Sequence, residues 1–168
     1  LLLEQPNGDF ATTIVRLFLH SAFMLPWWKA AMSSTDPTLA AIAAKAEKEA
    51  AYHLRHAGEW LIRLGDGTAE SQRRAADALD RLWRFTGEMF AVDADDRPLI
   101  EAGVIPHPDT IRPAWDATIA HVLAEATLAR PRDGWMQTGG RRGTHTEALG
   151  HMLAVMQHLQ RAYPGATW

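Results

Sequence analysis

The run Asp36-Pro37-Thr38-Leu39-Ala40-Ala41-Ile42-Ala43-Ala44-Lys45-Ala46-Glu47-Lys48-Glu49-Ala50-Ala51-Tyr52-His53-Leu54-Arg55-His56-Ala57-Gly58-Glu59-Trp60-Leu61-Ile62-Arg63-Leu64-Gly65 reads as one long helix. Asp36 is placed to cap its free N–H groups. Pro37 fits the first helical position, where a missing donor costs nothing, and Gly65 supplies the stop. Helical spacing predicts an inward stripe of Ile42, Ala46, Glu49, His53, Ala57, Trp60 and Leu64. Two polar residues therefore sit in the middle of an apolar row.

The same periodicity extends outward in both directions. A preceding helix is predicted from about Phe10 to Met32, capped by Asp9 and carrying Phe10, Ile14, Leu17, Phe18, Ser21 and Leu25. Pro26 is expected to kink or break it just before Trp27-Trp28, because proline removes a donor and crowds the preceding turn. A third helix opens at Thr68 and carries Leu79, Leu82, Phe85, Thr86 and Met89. Val92 to Pro113 holds Asp93, Asp95, Asp96 and four prolines and reads as a long ordered loop. A fourth helix follows Pro113 and bears Trp115, Ile119, Val122, Leu123 and Ala126. A basic, glycine-rich connection runs from Arg130 to Gly143. The fifth helix opens with Thr144 and Glu147 at capping-box spacing, with a predicted buried stripe of Leu149, Met152, Leu153, Met156, Leu159 and Tyr163. No strand is predicted, and the fold class is all-α, in one domain spanning 1–168.

Composition narrows the functional classes. The 168 residues are 47% hydrophobic and 22% charged, with a net charge of −3, so no general positive field exists to attract nucleic acid. The absence of cysteine removes disulfides, thiolate metal sites and cysteine nucleophiles together, and suits a cytoplasmic location. No uninterrupted apolar run has membrane-spanning length. Leu1-Leu2-Leu3 lacks a preceding Met, a basic stretch and a following cleavage site, so no secretory signal is expected. The chain is expected to begin inside a longer parent.

Eight histidines and many helical glutamates raise the possibility of a carboxylate-bridged di-iron bundle. Such a site takes Glu-x-x-His from each of two helices, because a three-residue offset places both ligands on one face. Three residues before the successive histidines stand Leu17, Ala50, His53, Val104, Thr118, Arg142, Ala148 and Val155. None is a carboxylate, so the motif is absent. What remains is Glu49 with His53 and Glu147 with His151, each four apart, readable as metal ligands or as hydrogen-bonded pairs. Lys45, one turn before Glu49, is placed to neutralise it, since a buried carboxylate needs a partner. No Gly-x-Ser-x-Gly elbow or phosphate-binding glycine motif occurs. Arg141 and Arg142 can hold either an anionic ligand or an acidic protein surface. Trp27 and Trp28 cannot both face one core, which makes them candidates for a subunit contact.

Several runs resemble the PaaC family. They are Leu2-Leu3-Glu4-Gln5-Pro6-Asn7-Gly8-Asp9-Phe10, Ala40-Ala41-Ile42-Ala43-Ala44-Lys45, Glu49-Ala50-Ala51-Tyr52-His53-Leu54-Arg55, Arg63-Leu64-Gly65-Asp66-Gly67-Thr68 and Leu82-Trp83-Arg84-Phe85-Thr86-Gly87-Glu88-Met89-Phe90. Gly134-Trp135-Met136-Gln137, His145-Thr146-Glu147 and Gln157-His158-Leu159-Gln160-Arg161 complete the set. The resemblance implies a ferritin-like helical bundle with additional C-terminal helices. It also implies that the family's first two helices are missing, so that half of the four-helix core is present.

The function the resemblance implies is the structural, non-catalytic subunit of the ring 1,2-phenylacetyl-CoA epoxidase. This subunit would hold no cofactor, while a catalytic partner subunit would carry the di-iron centre and the acyl-CoA. Ala50 stands where the Glu of Glu-x-x-His would be, leaving His53 as half of a vestigial site. The expectation is a buried, metal-free cluster of Lys45, Glu49 and His53. An uncovered stripe containing Phe18, Ile42 and Trp60 is also expected, leading to hetero-oligomers or self-association. The competing readings are a metal-dependent oxygenase in its own right, using Glu49 and His53, and a CoA-binding module using Arg141 and Arg142. Trp27, Trp28, Arg141 and Arg142 are the candidate partner contacts.

Overall fold

A computed structural model describes residues 1–167, all helix, turn and loop, with no strand among them. α1 (Phe10–Ala31) and α2 (Pro37–Gly65) form a long pair. α3 (Ala69–Trp83) and α5 (Arg112–Glu125) pack onto it, so that α1 is flanked by three helices. A short α4 (Asp96–Glu101) and a single turn at Pro108–Thr110 interrupt the connection between α3 and α5. α6 (Glu147–Met156) and α7 (His158–Ala162) end the described chain.

The predicted caps form at the first three long helices. Asp9 accepts from the Thr12 N–H at 2.9 Å, and Asp36 accepts from Thr38 and Leu39 at 2.8 and 3.2 Å. Thr68 and Ser71 cap one another reciprocally. α1 runs through Pro26 without a break, so the proline does not end the helix before Trp27-Trp28. The proline leaves only the carbonyl one turn before it without its helical donor, and the helix bears that local loss within a well-packed pair.

The face that α2 buries is set by small residues. Ala43, Ala50 and Ala57 recur every seven positions and are buried with Gly58 and Leu61, Gly58 facing Val122 of α5. Gly65 ends the helix against the end of α5, where an added Cβ would lie 2.1 Å from the Ala126 carbonyl oxygen. Phe18 and Leu19 of α1 are wholly buried. Around them Phe23, Phe90, Trp115 and Trp83 form a chain of rings with centroids 5.1 to 5.5 Å apart. The Trp115 indole N–H donates to the Leu19 carbonyl at 3.3 Å. By length and composition α1 is apolar enough to cross a membrane, yet half of it is buried within this core.

The C-terminal third behaves differently. After Leu128 the chain crosses the body as an irregular strap. Gly139 and Gly143 take left-handed conformations that only glycine adopts easily, and the Thr144 N–H closes a turn onto the Gly139 carbonyl. Thr144 is thus held in the loop, so the helix starts at Glu147 and the expected Thr144–Glu147 capping box does not form. Glu4 caps the helix from elsewhere in the chain, taking the Thr146 N–H at 2.8 Å and contacting His145 at 2.7 Å. The fifth helix breaks at Gln157 into α6 and α7, neither of which buries a residue. The predicted stripe is largely solvent-facing, since nothing among the described residues covers it.

Candidate functional site

The outward face of α2 carries the residues singled out from the sequence. Packing along Ala43, Ala50 and Ala57 turns the helix by one position, about 100°, from the predicted stripe. Lys45, Glu49 and His53 consequently project into solvent. Among the described residues no hydrogen bond or ion pair joins them, and the expected buried cluster is corrected to an exposed row. Ile42 is 52% exposed and Trp60 half-buried, but Phe18 faces inward and is fully covered. The uncovered stripe therefore lies on α2 and not on α1.

His53 has a neighbour that sequence spacing within one helix does not reveal. His20, half-buried on α1, has its pKa pushed down by burial first and by the nearby His53 second. Next along α2, Tyr52 stacks on His56 at 6.1 Å and the Arg55 guanidinium lies 5.7 Å from the Tyr52 ring centre. The usable signal for His20 was its place on α1 between Leu17 and Met24, which pack against the core. The row offers imidazoles without a bridging carboxylate. No group of three or more His, Asp or Glu among the described residues is arranged to hold a metal ion. The donor set does not fit a di-iron centre, and it does not assemble the oxygenase site proposed around Glu49 and His53.

A second polar centre was missed altogether. Glu88, only 9% exposed, accepts the Gly140 N–H at 2.6 Å. A Cβ at Gly140 would sit 2.9 Å from the Glu88 carboxylate, so a larger residue there would have to displace it. Arg141 donates to the Ala91 carbonyl at 3.0 Å and to the buried Asp96 carboxylate, and lies 3.8 Å from Asp93. Burial alone would raise the Asp96 pKa. The Asp93 N–H and the Arg141 guanidinium outweigh it and hold the carboxyl below its ordinary value. Arg141, a candidate partner contact, is thus engaged by its own chain while its side chain stays about half exposed. Beside it a cleft of about 440 Å³ opens, with exposed Arg142 on its wall.

Trp27 and Trp28 meet edge to face at 4.8 Å. Trp27 packs against the core and lines a cavity of about 240 Å³ with Phe23 and Ile105, while Trp28 stays outside the core cluster. Both indoles are half-buried, and of the two only Trp27 packs against the core cluster.

The family described as Phenylacetic acid catabolic protein, PaaA/PaaC, matches residues 1–168. The chain belongs to that family. It is 49% identical over 168 residues to one of the subunits of the 1,2-phenylacetyl-CoA epoxidase of Escherichia coli strain K12, covering all of this chain and 68% of that relative. The all-helical architecture agrees with the ferritin-like fold of the PaaA/PaaC family. In this PaaA/PaaC member, the α2 turn that pairs buried Ala50 with exposed His53 supplies one imidazole and no carboxylate at the three-residue offset.

Proposed function

We propose that this chain is the structural, non-catalytic subunit of a multicomponent monooxygenase that epoxidises the ring of phenylacetyl-CoA. A catalytic partner subunit holds the di-iron centre and the acyl-CoA, and the complex is cytoplasmic. Similarity to a subunit of such an epoxidase supports the substrate and the assembly. The observation that carries the non-catalytic role is the pairing of Ala50 with His53 on α2, with no Glu three residues before any histidine. The role of this subunit is then to bind and position its partner through exposed surface. Trp28, outside the core, and Arg142, on an exposed loop, are the partner contacts this reading favours.

Co-expression with the catalytic subunit tests it. The two chains are expected to co-purify, with iron following the partner, and His53→Ala together with Glu49→Gln should leave the iron content of the complex unchanged. Near-stoichiometric iron in the isolated chain, lost in the same variant, would overturn the reading.

A further inference from the structure

The chain contains a single asparagine, Asn7, and it stands directly before Gly8 in the irregular segment that leads into α1. Both residues are exposed and outside any helix. Gly8 takes a left-handed conformation with φ at 58°. Its N–H makes no hydrogen bond among the described residues. Asn7 is held from the other side. The Arg16 guanidinium, on α1, donates to Asn7 Oδ1 at 2.6 Å and to the Gln5 carbonyl. The Thr13 hydroxyl donates to the Asn7 carbonyl at 3.2 Å. An asparagine Cγ is always close enough to the next backbone nitrogen to close a five-membered ring. Ordered structure usually prevents this by engaging that nitrogen in a hydrogen bond, and a Cβ on the next residue hinders the approach. Neither obstacle exists at Gly8. Arg16 adds a third feature, because a cation donating to the amide oxygen withdraws electron density from Cγ and stabilises negative charge developing on that oxygen.

We propose that Asn7 is a self-modification site, deamidating through a cyclic imide with Gly8 while Arg16 steadies the charge on the side-chain oxygen. Base from solvent removes the Gly8 amide proton, and the nitrogen attacks Asn7 Cγ. The Cγ–Nδ2 bond breaks, and Nδ2 takes a proton and leaves as ammonia. Water then opens the imide at Cγ, giving aspartate, or at the Asn7 backbone carbonyl, giving isoaspartate. In balance, one water is consumed, one ammonia is released, and a neutral amide becomes a carboxylate facing the Arg16 guanidinium. The isoaspartate product also lengthens the backbone path by one carbon, two residues before the Asp9 cap of α1. The reaction needs no cofactor or partner chain and does not depend on the role proposed above.

The test is incubation of the whole chain in mildly alkaline buffer, read by peptide mass spectrometry, ammonia release and enzymatic methylation of isoaspartate. The peptide holding Asn7 should gain the mass of an amide turned acid, at a rate that rises with pH. Hydroxylamine, which traps the imide, should cut the chain between Asn7 and Gly8. Asn7→Gln should abolish the mass gain and the cut. Asp66-Gly67 and Asp133-Gly134 can isomerise through the same ring, but they release no ammonia and keep their mass, so the Asn7→Gln chain measures their share of the methylation. Arg16→Gln, with circular dichroism unchanged, should react about three- to tenfold more slowly, and Arg16→Lys, which keeps the charge, should fall between. A peptide of residues 3–11, which lacks Arg16, should also react more slowly than the folded chain. No mass gain at Asn7 under conditions that convert the peptide would overturn the proposal. A rate in Arg16→Gln equal to or above that of the parent would overturn it as well, by making Arg16 a bystander or a clamp that protects Asn7.

Discussion

The four-helix body and the C-terminal arm are written in the same amphipathic code and meet different fates. In the body, Phe18 and Leu19 of α1 disappear between α2, α3 and α5. In the arm, Met152, Met156 and Leu159 repeat just as regularly and stay in solvent. The arm is fastened chiefly by polar contacts: Asp133 to the Trp83 indole, the Gln137 N–H to the Arg84 carbonyl, Gly140 to Glu88, and Glu4 to Thr146. Periodicity selects the face a helix offers. It says nothing about who covers that face, and here the chain covers one and leaves the other open.

The largest expected contrast comes from truncating one apolar side chain in each region. Phe18→Ala should cost about 3–5 kcal/mol in urea unfolding, because it leaves a cavity in a close-packed site. Met156→Ala in a dilute, monomeric sample should change stability by less than about 0.5 kcal/mol. Equal costs in monomer would erase the distinction. Next comes the fastening. Glu88→Ala removes the acceptor for the Gly140 N–H and should cost about 1–3 kcal/mol, with faster proteolysis between residues 130 and 146 than within α1 or α2.

A smaller effect is expected at the Glu4 latch. The Thr146 N–H, first, and His145 hold the Glu4 pKa at about 2, against an ordinary 4.5. A depressed carboxyl stabilises the fold above its ordinary value, and that support is lost as pH falls through about 2. NMR titration should place the Glu4 midpoint near about 2, and the Thr146 amide should follow it. In Glu4→Gln the Thr146 amide should show no such titration. Smallest of all, Glu49→Ala and His53→Ala should each stay within about 0.5 kcal/mol of the parent, as exposed residues outside any hydrogen bond or ion pair do. A large loss at either would restore the buried cluster that α2 packing removes.

Much of the body was legible in the sequence because local chemistry decides it. Asp9, Asp36 and Thr68 begin their helices where caps belong, and Gly65 ends α2 where no Cβ fits. The inward face of α2 was misread by one residue. Large side chains such as Ile42 and Trp60 outweighed Ala43, Ala50 and Ala57 in the pattern, yet close helix approach rewards the small residues. His20 meets His53 only across two helices, and Glu88 meets Gly140 across 52 positions, distances that no local spacing encodes. The partners of Arg141, Asp93 and Asp96, lie 45 or more positions away, just before and at the start of α4, where only the tertiary fold brings them to it.

The central claim, a packed body carrying an arm open to contact, is tested most directly by native-state hydrogen exchange on the chain alone and in its assembled form. Amides of α1, α2 and α5 should exchange only through global opening in both samples, while those of α6 and α7 exchange through local opening in the dilute chain and become protected on assembly. Slow exchange in α6 and α7 of the dilute monomer, matching that of α1, would contradict the account.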